Sequence, residues 1–194
     1  QGGVISPLLA NVFLHYALDK WLEKHYPTVV FERYADDVII HCRTKSEAEQ
    51  MLIAIKERIQ ECELELHPEK TKIVYCRDYR RQDKYDKVKF DFLGYSFQPR
   101  TTKSKRDGKL FLGFDCAISI SSRKRIADKL ELLDIVNLNV RNIVGVATYL
   151  SPYLRGWINY FGKYRIENMN PIFQWLRKRL VRWARKRYKR YKTS

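Results

Sequence analysis

The fold of this chain is best approached from one stretch, Phe31 to Ile40, which has the sequence FERYADDVII. The apolar β-branched run Val38 to Ile40 and the aromatic residues that precede it favour β-strands. Ala35 and Asp36 lie between the two strand-forming runs, where a tight turn would join them. The pattern therefore predicts a β-hairpin that carries two adjacent carboxylates, Asp36 and Asp37, at its turn.

These two carboxylates predict a divalent metal site if the hairpin is buried. Two like charges are costly to place in apolar surroundings unless a cation binds them. Oxygen ligands suit Mg²⁺, which needs only one or two protein carboxylates because substrate phosphates complete its shell. The alternative is an ordinary surface turn whose two acids face water, which is the more common use of an Asp-Asp pair.

The net charge indicates the class of partner. The 194 residues include 38 Lys and Arg against 22 Asp and Glu, which gives +16. An excess of this size favours polyanions, either nucleic acid or an anionic membrane. No apolar run approaches the roughly 20 residues that a membrane span needs, so we expect nucleic acid and no membrane. The cysteines show no paired spacing and are expected to be isolated reduced thiols: Cys42, Cys62, Cys76 and Cys116.

Helix and strand patterns in the first half predict an α+β layer, with helices that back an antiparallel sheet. Ser6 and Pro7 are expected to start a helix that runs to about Glu23, with Ser6 as its N-cap. A capping box of Ser46 and Glu49 is expected to open the helix after the hairpin. Two further strands are expected, near residues 73–76 and 88–97.

The second half is predicted to be an all-α bundle, separated from the sheet by a connector. The stretch from Pro99 to Gly108 is basic and turn-rich, and a short extended segment is expected after it. Helices are expected to begin near Ser122, at Ser151-Pro152 and at Asn170-Pro171. The expected domains are residues 1–98, 99–121 and 122–194.

The last predicted helix carries the clearest binding surface. No acidic residue follows Glu167, and the cations lie opposite an apolar stripe. Most basic runs are solvated tails, but this one holds aromatic residues, such as Trp183 and Tyr188, that can stack on unpaired bases. A basic face on a docked helix would contact phosphates. We therefore predict RNA contact through Arg177, Lys178, Arg182, Arg185, Lys186 and Lys189.

Several motifs resemble, in their order along the chain, those of reverse transcriptases encoded by group II introns. Residues 1–12, QGGVISPLLANV, resemble the template- and nucleotide-contacting motif that precedes a Tyr-Ala-Asp-Asp hairpin in these enzymes. Residues 66–72, LHPEKTK, resemble their lysine-bearing palm motif, and residues 92–95, FLGY, resemble their primer grip. Residues 154–161, LRGWINYF, are similar to their maturase segment, which weakens the alternative of a retron or diversity-generating reverse transcriptase.

The resemblance implies both a fold and an activity. The fold would be a partial polymerase palm followed by an all-α thumb, or maturase, domain with a basic C-terminal helix. The activity would be that of an RNA-directed DNA polymerase of a mobile element, which uses two Mg²⁺ ions, binds its intron RNA and assists splicing. The partners would be the RNA template, the intron RNA, a DNA primer and deoxynucleoside triphosphates. The alternative is a splicing-only maturase whose polymerase site is vestigial.

The resemblance also assigns roles to residues. Asp36 would be the direct metal ligand, Asp37 the supporting carboxylate, and Lys70, or alternatively Lys72, the palm lysine that protonates the leaving pyrophosphate. Contacts to nucleotide and template would come from Gln1, Gly2, Gly3, Ser6, Pro7, Tyr34 and Ala35. The primer grip would be Phe92, Leu93, Gly94 and Tyr95, and Arg155 would join the RNA-binding residues.

One element of the family pattern is expected to lie outside this sequence. The family takes a further metal-binding aspartate from a strand that would precede Gln1. We therefore expect the chain to be a fragment that lacks the fingers and this aspartate. Such a fragment would bind metal weakly and would be inactive as a polymerase by itself. A bacterial cytoplasmic location is expected, with an organelle as the alternative.

Overall fold

The computed structural model describes residues 3–188, and the chain divides into two compact units, Gln1–Ile73 and Val74–Ser194. The fold is a mixture of helices and two small antiparallel sheets, with a helical C-terminal part, as the sequence predicts. Within the described residues, no helix is both long enough and apolar enough to cross a lipid bilayer. The three predicted domains, 1–98, 99–121 and 122–194, stay a prediction.

The first unit consists of a continuous helical rod (residues 6–25), a β-hairpin and one long helix. Its elements are α1 (Ser6–Leu14), a π-helical segment (His15–Asp19), α2 (Lys20–His25), β1 (Val30–Tyr34), β2 (Asp37–His41) and α3 (Lys45–Glu61). The rod covers the predicted helix but contains a π turn that the sequence pattern did not indicate. Arg58 on α3 donates from Nε to the Ala17 carbonyl within this turn, at 2.9 Å. A π turn widens the helix and leaves carbonyls without their usual partners, and Arg58 satisfies one of them.

The hairpin is fixed to the helices by one apolar face. Leu18 and Leu22 from the rod meet Met51, Ile55 and Ile59 of α3 in a buried cluster. Side chains from one face of the hairpin pack against this cluster: Phe31, Val38 and Ile40. The register pairs Phe31 with Ile40 and places Tyr34 opposite Asp37, so the connecting loop has only two residues.

Two predicted helix caps in the first unit are wrong. Ser6 is the first residue of α1 rather than its N-cap, which is Ile5. The capping box of α3 uses Thr44 and Glu47 instead of Ser46 and Glu49. Thr44 accepts from the Glu47 amide at 3.1 Å, and the Glu47 carboxylate accepts from the Arg43 amide at 2.7 Å. Both pairs have the required spacing of three residues, so the sequence alone did not separate them.

The second unit consists of a three-stranded antiparallel sheet followed by helices. Its strands are β3 (Phe90–Phe92), β4 (Tyr95–Lys103) and β5 (Leu110–Ile118). Its helices are α4 (Ile120–Leu132), α5 (Ile143–Phe161) and α6 (Asn170–Arg187), with 3-10 turns at Ile135–Asn137 and Ile166–Met169.

The strand predictions for this unit need three corrections. No strand forms at residues 73–76, although the Tyr75 amide bonds to the Lys87 carbonyl at the far end of the charged segment 77–87. The predicted strand 88–97 is instead a hairpin, because Leu93 and Gly94 turn the chain with φ values of 49° and 81°. The stretch from Pro99 to Gly108 is not entirely turn, since β4 continues through it as far as Lys103.

The helices of the second unit share one core. The residues that are most completely buried come from α4, α5, α6 and the two 3-10 turns: Leu130, Ile135, Val146, Met169 and Trp183. Helix α5 starts at its N-cap Asn142, whose side chain accepts from the Gly145 amide. The predicted start at Ser151-Pro152 is therefore wrong, and Pro152 lies inside the helix. Helix α6 begins at Asn170, as predicted.

Candidate active site and nucleic-acid surface

The predicted pair of carboxylates lies at the tip of the β1–β2 hairpin. Asp36 is the second residue of the loop and Asp37 is the first residue of β2. Ala35, the first loop residue, has a φ of 55°, a left-handed conformation that is unfavourable for any residue with a Cβ. Such strain persists only where surrounding contacts hold the backbone in place.

Both carboxylates are exposed, so the premise that Asp36 and Asp37 are buried in apolar surroundings is wrong. Only the face that carries Phe31 and Val38 is covered, and the tip of the hairpin projects beyond that contact. The two charges therefore remain hydrated, and burial does not force them to bind a cation. Their accessibility instead leaves them open to a metal that arrives with a substrate.

Arg33 holds the backbone of the loop. Its guanidinium makes two hydrogen bonds of 2.7 Å to the Asp19 carboxylate at the end of the π-helical segment. From Nη1 it donates at 2.9 Å to the Ala35 carbonyl and at 2.9 Å to the Asn11 side chain on α1. One side chain thus joins the strained loop residue to two parts of the helical rod.

The Arg33–Asp19 pair is largely shielded from solvent, with 11% and 14% of the side-chain surfaces exposed. Burial by itself raises the pKa of Asp19, but hydrogen bonds from Arg33 and His15 outweigh it and lower the pKa below its ordinary 3.8. The same ion pair raises the pKa of Arg33. Both shifts favour the charged pair, so it should persist at all but acidic pH.

Arg33 belongs to none of the motifs described above, although one sequence pattern indicates its importance. Side chains of β1 alternate between exposed and half-buried positions, and Arg33 occupies a half-buried position like Phe31. A cation on the inner face of a strand needs a buried partner. That partner, Asp19, lies 14 residues away and is brought close only by the tertiary fold.

The other residues assigned to the first unit are exposed and lie at its helix ends and turns. Gly3, Ser6 and Pro7 are at the start of α1, where the Ser6 amide bonds to the Gly3 carbonyl at 3.1 Å. Lys70 is in the turn of residues 68–70, and Lys72 follows it. No ion pair connects Lys70 to Asp36 or Asp37 within the described residues. Gln1 and Gly2 lie outside the described residues.

The predicted primer-grip residues belong to the second unit, where three of them, Leu93, Gly94 and Tyr95, contact α4 or α5. Leu93 and Gly94 form the loop between β3 and β4. Tyr160 on α5 donates to the Leu93 carbonyl at 2.8 Å, and Tyr95 donates to the Tyr160 carbonyl. A Cβ at Gly94 would come within 2.8 Å of the Ser122 hydroxyl on α4. The absence of a side chain at Gly94 therefore allows α4 to pack close to this turn. Gly94 therefore has a packing role that the sequence did not indicate.

Helix α6 separates its charges from its apolar residues. The buried side is formed by Ile172, Leu176 and Trp183, and Trp183 donates from Nε1 to the Leu138 carbonyl at 3.1 Å. The exposed side carries a line of cations with helical spacing along one open groove. We call these residues the α6 cation row: Arg177, Lys178, Arg182 and Arg185.

The remaining RNA-binding predictions fall in different surroundings. Lys186 lies outside the row and donates to the Asn137 side chain. Arg155 is exposed on α5. Lys189 lies outside the described residues. Arg179, which is not among the predicted residues, pairs with Glu131 at 3.5 Å and stacks on Trp175, so it is partly neutralised.

Comparison with protein families assigns both halves of the chain. The model for reverse transcriptase, the RNA-dependent DNA polymerase, matches residues 1–97, and the group II intron maturase-specific domain matches residues 123–194. The chain belongs to the group II intron reverse transcriptase/maturase family. No curated protein matches the chain.

The family generally uses divalent metals, so the question is whether Asp36 and Asp37 could hold such an ion. Among residues 3–188, no three His, Cys, Asp or Glu side chains cluster in a way that could hold a metal ion. Two adjacent exposed carboxylates do fit a site that substrate phosphates complete, because Mg²⁺ is commonly held by one or two protein carboxylates. The donor set therefore suits a metal that enters with a nucleotide, and it does not form a cage by itself.

Loss of the Arg33–Asp19 ion pair should destabilise the first unit by an amount that depends on pH. Arg33→Met leaves Asp19 shielded and unpaired, and we expect a loss of about 3 kcal/mol at pH 7. Since the pKa of Asp19 is lowered in the fold, the stabilisation is present above its ordinary pKa of 3.8 and is lost as the pH falls below it. Urea unfolding at pH 7 and at pH 3 measures both effects.

Glu23→Gln is the matched control for this test. The Lys20–Glu23 pair is half exposed, at 53% for each side chain, so its loss should cost less than about 1 kcal/mol. Equal losses for the two variants, or the same loss for Arg33→Met at both pH values, would show that Arg33 does not act through Asp19.

Proposed function

We propose that the chain carries part of the polymerase site of an RNA-directed DNA polymerase, together with the surface that binds intron RNA and assists splicing. The observation that carries the polymerase part is the hairpin tip, where Asp36 and Asp37 are exposed on a loop that Arg33 holds. Pre-organised ligands lose little freedom when a metal and a nucleotide arrive. Asp36 would be the direct ligand and Asp37 the supporting carboxylate.

When bound, Mg²⁺ would lower the pKa of the primer hydroxyl and neutralise charge on the triphosphate. The chain's own groups would position the reactants. Tyr34, which is 64% exposed beside Asp37, offers an aromatic face to the primer terminus or the incoming base. Gln1, Gly2, Gly3, Ser6 and Pro7 would contact nucleotide and template, and Lys70 would donate a proton to the leaving pyrophosphate. The primer grip would consist of Phe92, Leu93, Gly94 and Tyr95.

The observation that carries the RNA-binding part is the α6 cation row. Arg177, Lys178, Arg182 and Arg185 share one exposed side of a helix whose other side is buried through Trp183. Cations held on a docked helix contact successive phosphates together, and each contact releases counterions. Lys186, Lys189 and Arg155 would extend this contact. The RNA bound would be structured intron RNA, with the template and a DNA primer at the polymerase site.

A splicing-only maturase is the second candidate function. It is compatible with hairpin carboxylates that are exposed and hydrated, because burial does not force them to bind a cation. The RNA-binding surface of α6 would serve both functions equally. The two candidates therefore differ only in whether the hairpin takes part in nucleotidyl transfer.

The hairpin assignment predicts weak metal binding by the chain itself. Mn²⁺, which substitutes for Mg²⁺ and is paramagnetic, should broaden the amide NMR signals of the hairpin tip at concentrations on the order of millimolar. Asp36→Asn combined with Asp37→Asn should abolish this broadening. In a protein that also supplies the family's further aspartate, Asp36→Ala should abolish primer extension and leave folding intact.

The control for metal binding removes two other exposed acids of the same unit, with Glu63→Gln and Glu65→Gln. This variant has the same change in charge and should retain the broadening at the hairpin. Broadening that survives without Asp36 and Asp37, or primer extension that survives Asp36→Ala, would contradict the polymerase assignment. Metal binding without primer extension in the complete protein would favour the splicing-only function.

The α6 cation row predicts a salt-dependent affinity for RNA. Conversion of Arg177, Arg182 and Arg185 to Gln should weaken binding to any RNA sequence. It should also lower the slope of log affinity against log salt by about 2, because each lost phosphate contact removes about 0.7 for single strands. Fluorescence anisotropy with labelled RNA across a salt titration measures both quantities.

A triple variant at the end of β4 and in the turn that follows it provides the matched control. Lys103→Gln, Lys105→Gln and Arg106→Gln remove the same charge from a different exposed place. If the α6 cation row binds RNA, this control should change the slope much less. Equal changes in the two variants would mean that net charge alone drives binding, and would remove the argument for α6.

A further inference from the structure

One face of the β4–β5 sheet holds an arginine, Arg100, that makes no ion pair with any residue in the range 3–188. The register pairs Arg100 with Gly113, so no side chain stands opposite it. Its guanidinium turns back along β4 and makes one long contact, 3.4 Å from Nη2 to the Ser96 carbonyl. Ser96 points to the same face, four residues earlier on the strand.

Two hydrogen-bond donors on this face are buried and unsatisfied. Neither the Nε of Arg100 nor the Oγ of Ser96 has a hydrogen-bond partner within the described residues. Ser96 is only 3% exposed, whereas Arg100 remains partly exposed to solvent. An unsatisfied buried donor costs about 1–3 kcal/mol, and more when it is charged. A sheet face that leaves two such donors close together is suited to a ligand that accepts from both.

Two acids share this face of the sheet: Asp91, which is exposed and pairs in register with Ser96, and Asp115, which is engaged by other groups. Asp115 accepts from Arg165 Nε through Oδ2, at 2.5 Å, and from the Cys116 amide through Oδ1, at 2.8 Å. Arg165 also donates from Nη2 to the carbonyl of Thr101 and to the hydroxyl of Thr102. Asp115 therefore pairs with Arg165, and Arg100 makes no ion pair within the described residues.

The electrostatic surroundings of Arg100 point in the same direction. Burial lowers the pKa of Arg100, and the positive charges of Arg165 and Arg123 lower it further, against the opposing charge of Asp115. Arg165 and Arg123 thus add positive potential at Arg100, although Arg165 itself is paired with Asp115 and, at 4.0 Å, with Glu167. An anion would relieve the excess positive charge.

The geometry points to a phosphate-binding site formed by Arg100 and Ser96 on the β4–β5 sheet, with Arg123 and Arg165 supplying further positive potential. A phosphate oxygen accepts from both an Arg Nε–H and a Ser hydroxyl, which are the two unsatisfied donors. The phosphate can belong to the backbone of a polynucleotide or be a free phosphate ion. This site is separate in sequence from the α6 cation row and does not depend on the proposed polymerase activity.

Thermal unfolding of the chain in phosphate and in chloride, at equal ionic strength, tests the site. Three of the four tryptophans lie in the second unit, so fluorescence reports mainly on its unfolding. Phosphate should raise the melting temperature of the unsubstituted chain more than chloride does, because it binds the folded state. Arg100→Met should abolish this extra rise. Arg106→Met, which removes an exposed cation from the turn between the same strands, should retain it.

The same variants establish whether Arg100 has only a structural role. In chloride, Arg100→Met should be at least as stable as the unsubstituted chain, because it removes an uncompensated charge and its unsatisfied donor. A marked loss of stability in chloride would mean that Arg100 supports the fold, and would overturn the proposal. An equal phosphate response in all three proteins would overturn it as well, leaving a water molecule as the occupant of the two donors.

A second arm distinguishes the two sources of phosphate. If a polynucleotide supplies it, Arg100→Met should lower the log-log salt slope for single-stranded RNA by about 0.7 relative to Arg106→Met. If free phosphate is the ligand, that slope should stay unchanged while the phosphate-dependent rise in melting temperature is still lost. Neither readout requires polymerase activity, so failure of the proposed polymerase function would not affect the result.

Discussion

The burial of Trp183 is the interaction on which the candidate RNA-binding surface depends. The indole is 2% exposed and donates to the Leu138 carbonyl, so both its apolar surface and its polar atom are satisfied. Without this buried side chain, repulsion between the many cations of α6 would favour an undocked, solvated segment over the packed helix. With it, the cations lie on one side before any RNA arrives, and RNA need not order them.

The hairpin follows the same physical logic with different groups. Its exposed carboxylates are useful only if the loop that carries them keeps its conformation, and the left-handed backbone at Ala35 opposes that. The Arg33–Asp19 ion pair and the bond to the Ala35 carbonyl supply the constraint from the shielded side. In both units, a largely buried polar group therefore determines how exposed, charged groups are presented.

The sequence predicted the elements that repeat a local pattern and failed where a distant contact decides. The hairpin was predictable because two runs of β-formers flank a two-residue turn. The start of α5 was not, because Ser151-Pro152 has the same local chemistry as a helix start although the chain is already helical from Ile143. The hairpin at Leu93 was hidden in an apolar run, since helix contacts around Gly94 hold its left-handed turn.

Long-range partners account for what the sequence missed at the candidate sites. Arg33 and Arg100 are two of 38 cations, and although the alternation of β1 indicates that Arg33 needs a partner, it does not show that the partner is Asp19. The exposure of Asp36 and Asp37 was also mispredicted, because the apolar flanks cover one face of the hairpin and stop before the tip. The family motifs, in contrast, depend on short contiguous stretches, and they identified the family correctly.

The central claim is that α6 presents a preformed row of cations, and hydrogen–deuterium exchange of the free chain tests it most directly. If the helix is docked through Trp183, the amides between Leu176 and Ala184 should exchange slowly in the absence of RNA, as we also expect for the buried part of α5. RNA should then add little further protection to the helix backbone. Fast exchange along α6 that slows only when RNA is added would contradict the claim, because the helix would then form on binding.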